Sequence, residues 1–207
     1  MTSYTLTYFD FDGGRGEMIR IAFHKAGIPF EDRRLNFEQY MKVRGDTRFG
    51  ALPELEMDGT VITQSNAIGR YVAKKAGLYP DDEVQALYCD EALGAVEDAS
   101  HALGTTFGLE GEALKEAREK LVNGKLTTYV RGVGEIVARG GDYVADERLT
   151  IADLKVFGLT RWLCSGALDH VPPDLVEREA PMLIAHMKRV ESDPVVTSYY
   201  ASRATNS

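Results

Sequence analysis

In the first part of the chain, the spacing of the apolar residues changes from that of a strand to that of a helix. Residues 3–9 place every second side chain on one apolar face, as a half-buried strand does. From residue 17 onward apolar residues recur at helical spacing until Gly27, a residue type that commonly ends a helix. Residues 28–35 predict a second strand. Such a strand–helix–strand unit implies a parallel pair with a right-handed crossover.

The next segment predicts a hairpin and another helix. Two short strands over residues 53–63 flank Asp58-Gly59, which is a strong turn pair. Residues 65–76 follow as an amphipathic helix that ends at Gly77. This order of mixed elements is that of a thioredoxin-like domain. We therefore predict an α/β domain over residues 1–79.

Beyond residue 80 the strand signals disappear. Thr150 and Asp153 have the spacing of a capping box, which predicts that a helix begins directly after Thr150. The predicted fold class is therefore α/β plus all-α, with the N-terminal thioredoxin-like domain followed by an all-helical C-terminal domain over residues 80–207. Apolar residues recur at helical spacing in four segments of this domain, residues 84–103, 113–137, 151–163 and 181–191.

Composition and charge narrow the classes of function. The 207 residues carry a formal net charge of −8, which does not suit a nucleic-acid partner. No apolar run approaches the ~20 residues that span a bilayer, and the first residues lack the pattern of a secretory signal. Cys89 and Cys164 form no metal-ligand cluster. We therefore predict a cytoplasmic protein with reduced thiols, no metal, and neither a membrane nor a nucleic-acid partner.

Two turns carry candidate chemistry. Tyr8 stands before a glycine turn and Arg15 just inside it, so the pair is either ordinary packing plus a solvated charge or the frame of an anion site. Gln64 and Ser65 fall at a predicted helix start, where N–H groups and the helix dipole favour a carboxylate. The alternative is that Ser65 only caps that helix. Pro53 removes a ladder donor before a strand and leaves the preceding backbone available to other partners.

Four motifs, in this order, resemble those of the cytosolic glutathione transferases, most closely the sigma class. LTYFDF…GRGE resembles the N-terminal strand with its catalytic tyrosine, and FGALPELEMDG resembles the proline-led hairpin. QSNAIGRYVA is similar to the γ-glutamyl-binding segment, and LTIADL to the capping box of the helical domain. The resemblance covers essentially the whole chain. It implies a detoxifying glutathione S-transferase that conjugates glutathione to small hydrophobic electrophiles.

The resemblance also implies roles for individual residues in a glutathione site. The Tyr8 hydroxyl would stabilise the thiolate, which is the nucleophilic form of a thiol, and Arg15 would add positive potential. Tyr40 and Arg44 match the positions that hold the glycyl carboxylate, with Arg48 as a nearby competitor. The complete set implied for glutathione, the co-substrate, is Tyr8, Tyr40, Arg44, Leu52, Pro53, Gln64, Ser65 and Asp98.

One departure from the sigma-class pattern lies in the first turn. The stretch between Tyr8 and Arg15 holds one residue more than that class usually has. The extra residue lengthens this turn, so the resemblance alone does not establish that Arg15 reaches the site.

The resemblance further implies a homodimer. Asp98 lies within an apolar stripe of the helix that begins near Val84, where an acidic side chain is costly unless it meets a partner. By resemblance, Asp98 reaches the α-amino group of glutathione held by the other subunit. The alternative is that Asp98 lies at the edge of the stripe and faces water.

An electrophile pocket is implied beside the Tyr8 turn and the helical domain. Family members specialised as prostaglandin D synthases carry aromatic and sulfur-bearing residues where this chain has Thr105, Lys155 and Leu159. That difference argues against prostaglandin isomerisation. The candidate lining residues are Phe11, Thr105, Phe107, Lys155 and Leu159.

Other functions are compatible with the same scaffold. A non-catalytic protein that binds glutathione or a hydrophobic ligand, or a crystallin-like scaffold, would keep the fold without the chemistry. A glutathione-dependent isomerase or peroxidase would use the same thiolate. A thiol–disulfide oxidoreductase needs a cysteine at the start of the first helix, and DGGRGE has none. The sequence leaves the identity of the electrophile open.

Overall fold

The computed structural model describes residues 2–204, and its first unit is built on a single sheet. The strands are β1 (Tyr4–Phe9), β2 (Glu31–Leu35), β3 (Glu54–Met57) and β4 (Thr60–Thr63), in the spatial order β2-β1-β3-β4. The β1–β2 pair is parallel, whereas the β1–β3 and β3–β4 pairs are antiparallel. The predicted parallel pair and the Asp58-Gly59 hairpin are therefore both present.

Capping residues set the ends of the helices in this unit. They are α1 (Gly14–Ala26), α2 (Phe37–Val43) and α3 (Ser65–Ala76). Gly27 and Gly77 follow α1 and α3 in the left-handed conformation, with φ of 61° and 66°, as C′ glycines do. The short helix α2 was not predicted. It begins at a capping box in which the Asn36 and Gln39 side chains bond to each other's backbone N–H groups.

The second half of the chain is helical throughout its described elements. The segment 113–137, which has helical spacing along its length, forms parts of two helices, because Asn123 and Gly124 interrupt it. Gly124 has φ −142° and ψ −111°, outside the helical region, and stands as the N-cap of the following helix. The helices are α4 (Glu83–Gly104), α5 (Gly111–Val122), α6 (Lys125–Gly140), α7 (Ile151–Cys164), α8 (Leu175–Glu179), α9 (Pro181–Glu191) and α10 (Pro194–Ala204).

The predicted capping box at the start of α7 forms the centre of a buried polar cluster. Asp153 Oδ2 accepts hydrogen bonds from the Thr150 N–H at 2.7 Å and the Thr150 hydroxyl at 2.6 Å. Its Oδ1 accepts from the Val144 N–H at 2.7 Å and lies 2.8 Å from His186 Nε2. Asp153, Thr150 and His186 are all at most 1% exposed. One carboxylate therefore ties α7 to α9 and to the loop before α7.

The chain divides into two compact units. One contains residues 2–79 together with residues 198–204, and the other is Pro80–Thr197. Residues 198–204 thus group with the first unit, whereas the sequence analysis assigned the whole range 80–207 to the helical domain; residues 205–207 lie outside the described residues. Residues 198–204 join the first unit because Ser198 and Tyr199 contact His24 on α1. No helix within residues 2–204 combines the length and apolar character needed to cross a membrane.

Candidate active site

Tyr8 stands near the end of β1, and its hydroxyl lies at the start of α1. The Arg15 backbone N–H donates a hydrogen bond to the Tyr8 hydroxyl oxygen at 2.9 Å. That N–H belongs to the first turn of the helix, where backbone donors have no intrahelical acceptor. The N-cap residue, Gly13, supplies no side-chain cap. Tyr8 thus places its hydroxyl at the positive end of the α1 dipole.

Two glycines make room for the Tyr8 side chain. A Cβ added at Gly14 would lie 2.5 Å from the Tyr8 hydroxyl, and one added at Gly16 would lie 2.6 Å from Tyr8 Cγ. Gly14 also has a φ of 62°, which is strained for residues with side chains. The glycine cluster therefore allows helix and tyrosine to approach more closely than other residues permit.

Aromatic rings enclose Tyr8 on its other sides. Phe9 and Phe11 meet the Tyr8 ring edge-on, with centroids 5.4 Å and 5.7 Å away. The Tyr8 residue as a whole is only 4% exposed, whereas Phe11 is 48% exposed. The surroundings are therefore mostly apolar, which strengthens any electrostatic interaction made by the hydroxyl. Phe11, a predicted pocket residue, is the exposed member of this aromatic group.

Arg20, which the sequence analysis did not select, holds the backbone around Tyr8. Its guanidinium donates to the carbonyl oxygens of Phe9 at 3.2 Å and Phe11 at 3.3 Å. It also pairs with Asp32 at 3.0 Å and Glu17 at 3.4 Å, and it lies 5.6 Å from the centre of the Tyr8 ring. The side chain is fully buried. The available signal was the i,i+3 spacing of Glu17 and Arg20 next to the apolar residues between Met18 and Phe23 of α1.

Tyr40 has a different partner from the one implied by the resemblance. Its hydroxyl donates its single proton to the Gly50 carbonyl oxygen at 2.5 Å, and the residue is 8% exposed. A phenol has only one proton to donate, so this hydroxyl does not donate to a carboxylate at the same time. In this structure the Tyr40 hydroxyl therefore holds the loop before β3, and its implied contact with the glycyl carboxylate stays a prediction. Arg44 and Arg48 are both exposed on that loop.

The predicted peptide-binding positions lie at the start of β3 and of α3. Leu52 and Pro53 are buried, precede β3 directly and are joined by a cis peptide bond. Gln64 is the N-cap of α3 and makes no side-chain cap there, with φ 74° and ψ 106°. Ser65 is the first residue of the helix, so the alternative prediction, that Ser65 is the N-cap, is wrong. Gln64 is exposed and Ser65 is buried.

Asp98 is exposed on α4. Val84 and Leu87 lie on the same face of the helix and are 52% and 64% exposed. An acidic side chain therefore shares a solvent-facing stripe with large apolar residues, which is a pattern found at protein–protein interfaces. The exposure alone agrees with either predicted role of Asp98.

The predicted pocket residues of the second unit differ in exposure. Leu159 is 5% exposed and Lys155 is 6% exposed. The Lys155 ammonium pairs with Glu97 on α4 at 2.7 Å. Thr105 is exposed and its hydroxyl donates to the Ala102 carbonyl oxygen, while Phe107, 57% exposed, meets the Trp162 ring edge-on. Lys155 thus stabilises the packing of α7 on α4, in a role that the sequence analysis did not assign to it.

Family models match both units of the chain. Residues 4–74 match the model described as glutathione S-transferase, N-terminal domain, and residues 97–203 match that of the C-terminal domain. The chain belongs to the glutathione S-transferase family. The predicted fold class and the sigma-class-like resemblance are thereby confirmed, and the protein is an enzyme of this class that uses glutathione as a substrate. Homodimers are typical of the family.

Individual relatives of this transferase align along nearly their whole length. The chain is 30% identical over 204 residues to hematopoietic prostaglandin D synthase of Gallus gallus, which covers 98% of both chains. It is 30% identical over 210 residues to glutathione S-transferase 1 of Ascaris suum, again covering 98% of both. Among solved structures, prostaglandin synthase D of Nilaparvata lugens matches with a TM-score of 0.83 at 29% identity, over 97% of this chain and 98% of that one.

Within residues 2–204, no three His, Cys, Asp or Glu side chains are grouped so that they would hold a metal ion.

Proposed function

We propose that this transferase activates glutathione through the Tyr8 hydroxyl and transfers the thiolate to small hydrophobic electrophiles. A free thiol with a pKa of about 8.5 is only a few per cent ionised at neutral pH. A hydrogen bond to a charged group contributes roughly 1.5–3 kcal/mol. That is equivalent to a decrease of about one to two units in the thiol pKa. One well-placed phenol therefore makes a large part of bound glutathione reactive.

The observation that carries this proposal is the hydrogen bond from the Arg15 N–H to the Tyr8 oxygen. A phenol accepts and donates at once, so accepting from Arg15 is compatible with donating a hydrogen bond to a sulfur anion. The incoming N–H draws electron density from the oxygen and makes the O–H a stronger donor. The positive end of α1 adds to the stabilisation of a nearby anion. Arg15 thus acts through its backbone, whatever its side chain contacts.

The reaction follows from this arrangement. The glutathione thiol releases its proton to solvent, and the Tyr8 O–H donates a hydrogen bond to the resulting thiolate. The sulfur electron pair attacks an electron-poor carbon, and a carbon–sulfur bond forms. In a substitution the leaving group departs with its bonding electrons. In an addition to an activated alkene, the π electrons of the double bond pass to the adjacent carbon, which takes a proton from water.

The remaining residues would hold the tripeptide. The α3 start at Gln64 and Ser65 offers N–H groups and a hydroxyl to the γ-glutamyl carboxylate. The backbone of Leu52 would pair with the cysteinyl residue in the manner of a strand. Arg44 on the exposed loop suits the glycyl carboxylate, because a guanidinium forms two parallel bonds with such a group.

A pair of matched variants tests the proposal. Tyr8→Phe should raise the pKa of enzyme-bound glutathione, measured from the ultraviolet absorbance of the thiolate, by about one to two units. Its kcat/KM at neutral pH should fall about 10- to 100-fold. Tyr4→Phe is the control, because Tyr4 lies on the same face of β1, is similarly buried and bonds to the Tyr71 hydroxyl at 3.0 Å. A parent-like thiol pKa in Tyr8→Phe would overturn the mechanism.

The same assays separate the other functions open to this fold. Binding to immobilised glutathione without turnover of an aryl halide would indicate a scaffold protein. The named relatives include prostaglandin D synthases, so isomerisation of a prostaglandin endoperoxide and reduction of hydroperoxides belong in the substrate panel. Conjugation faster than either reaction is the expected result.

A further inference from the structure

The segment of residues 198–203 contacts α1 near both ends of that helix. Ser198 Oγ lies 3.0 Å from His24 Nε2, and the Tyr199 ring meets the His24 ring edge-on at 5.7 Å. At the other end, Arg203 forms an ion pair with Asp12, which stands in the turn between Tyr8 and α1. These contacts place the segment against the helix whose first turn receives the Tyr8 hydroxyl.

Two buried oxygen atoms meet no hydrogen-bond partner within the described part of the chain. They are Glu17 Oε1 and the Tyr199 hydroxyl, on residues that are 5% and 6% exposed. A buried polar group without a partner is costly, and native structures rarely keep one without a reason. The two groups are chemically complementary, since a phenol donates and a carboxylate accepts.

We propose that the segment from Ser198 to Arg203 positions the turn that carries Tyr8 and Arg15, through a hydrogen bond from Tyr199 to Glu17. The two groups make no direct bond, so the bond runs through one water molecule, which is nearly as favourable as direct contact. This inference rests on the proposed role of Tyr8. It names Tyr199 as a positioning residue, because it acts on the reacting atoms only through other residues.

The electrostatic surroundings of Tyr199 keep it a donor. Burial raises the pKa of Tyr199 well above its ordinary value, and the Glu17 carboxylate raises it further, against the opposing effects of Arg20 and Arg34. The phenol therefore stays protonated over the pH range in which the enzyme is assayed. Glu17 precedes His24 by seven residues, close to two helical turns, so both side chains lie on the face of α1 that Ser198 and Tyr199 contact.

Observed contacts lead from Glu17 to the Tyr8 ring. The second oxygen of Glu17 pairs with Arg20 at 3.4 Å. Arg20 in turn holds the carbonyl oxygens of Phe9 and Phe11 and lies over the Tyr8 ring. If Glu17 loses the Tyr199 hydroxyl, its carboxylate is drawn further toward Arg20. The guanidinium then shifts from the carbonyl groups that fix the turn.

The ion pair of Arg203 acts on the same turn from outside. Asp12 lies 4.0 Å from Arg34, and its side chain is 42% exposed. Exposed ion pairs contribute little to stability. The Arg203–Asp12 pair is therefore expected to affect the turn less strongly than the buried Tyr199–Glu17 pair.

The test measures the ionisation of bound glutathione in Tyr199→Phe. This variant keeps the ring and its contact with His24 but removes the hydroxyl. Its kcat/KM should fall ~3- to 10-fold at pH values below the thiol pKa. A loss of this size corresponds to the contribution of one ordinary hydrogen bond. The bound thiol pKa should rise accordingly, and the rate should recover at alkaline pH. Tyr129→Phe, which loses the phenol hydroxyl of a partly exposed residue on α6, is the control and should match the parent.

Each other outcome has a defined meaning. A parent-like thiol pKa in folded Tyr199→Phe overturns the inference, as does a loss of rate that is equal at every pH. If Tyr199→Phe does not fold, Arg203→Ala decides, with a smaller rise in thiol pKa expected and an unchanged value overturning the inference. If Tyr8→Phe itself leaves the thiol pKa unchanged, the proposed function fails. If only Tyr8→Phe raises it, the positioning role alone fails.

Discussion

Gly16 lies so close to the Tyr8 ring that a Cβ at this position would stand 2.6 Å from Tyr8 Cγ. Real side chains do not tolerate such a distance, and the ring is enclosed by Phe9 and Phe11 on other sides. The helix itself would accept a larger residue, because Gly16 does not have a positive φ. Glycine is therefore needed at position 16 to make room for the Tyr8 ring, and not to give the helix its backbone conformation.

Gly16→Ala should separate activity from helix formation. Alanine favours a helix over glycine by about 1 kcal/mol, but its methyl group must displace the Tyr8 ring. We expect the kcat/KM for glutathione conjugation to fall about 10-fold or more, the loss that corresponds to ~1.4 kcal/mol of transition-state stabilisation. Gly158→Ala is the control, because a Cβ at that helical glycine meets nothing within 4 Å. Equal activity of the two variants would show that the close approach is unimportant.

Asp98→Asn tests whether this acidic residue serves the neighbouring subunit. Loss of a charge-assisted hydrogen bond to the α-amino group of glutathione should raise the KM for glutathione about 10-fold or more, since such bonds contribute roughly 1.5–3 kcal/mol. Turnover at saturating glutathione should change little. Glu83→Gln, an exposed acid at the start of the same helix, is the control. If both variants keep the parent KM, Asp98 simply faces water.

Local signals in the sequence predicted most element boundaries of the fold. Gly27, Gly77 and the Asp58-Gly59 pair act through their own backbone preferences, so they can be recognised without knowledge of the tertiary structure. The capping box of Thr150 and Asp153 is equally local. The break at Gly124 was missed because apolar residues continue at helical spacing on both sides of it.

The site was predicted less completely because several of its contacts join distant parts of the chain. The Tyr40 hydroxyl bonds to Gly50, and no sequence pattern distinguishes this partner from a bound carboxylate. Tyr199 reaches α1 from a point more than 170 residues along the chain. Arg20 is buried by the residues that it contacts, although charged residues are ordinarily exposed. Such contacts follow from the topology of the fold.

Asp153→Ala should strongly destabilise the second unit. The change removes the acceptor for the Val144 and Thr150 donors and leaves His186 buried without its partner. Removal of one member of a buried polar pair typically costs about 3–5 kcal/mol. Urea unfolding followed by circular dichroism would measure the loss. Asp142→Ala is the control, because the Asp142 side chain is 77% exposed and pairs with Arg189 at the surface, so its loss should cost under ~1 kcal/mol. Similar losses in both variants would contradict the central role of Asp153.

Cys89 should make the protein less stable at alkaline pH. Burial raises the pKa of its thiol to about 12 in the folded state, whereas an exposed thiol ionises near ~8.5. The unfolded chain therefore loses this proton first. Stability should fall as pH rises from ~8.5 towards 12, by up to about 1.4 kcal/mol per pH unit. Urea unfolding at successive pH values between 8 and 10 would measure the slope.

The variant Cys89→Ala isolates this contribution. It lacks the thiol, so its unfolding free energy should fall less steeply with pH than that of the parent, while Cys164→Ala should retain the steep component caused by Cys89. Because every other titrating group is shared, the difference between parent and variant reports on Cys89 alone. Parallel pH profiles for the parent and Cys89→Ala would mean that the buried thiol ionises as readily in the folded protein as in the unfolded chain.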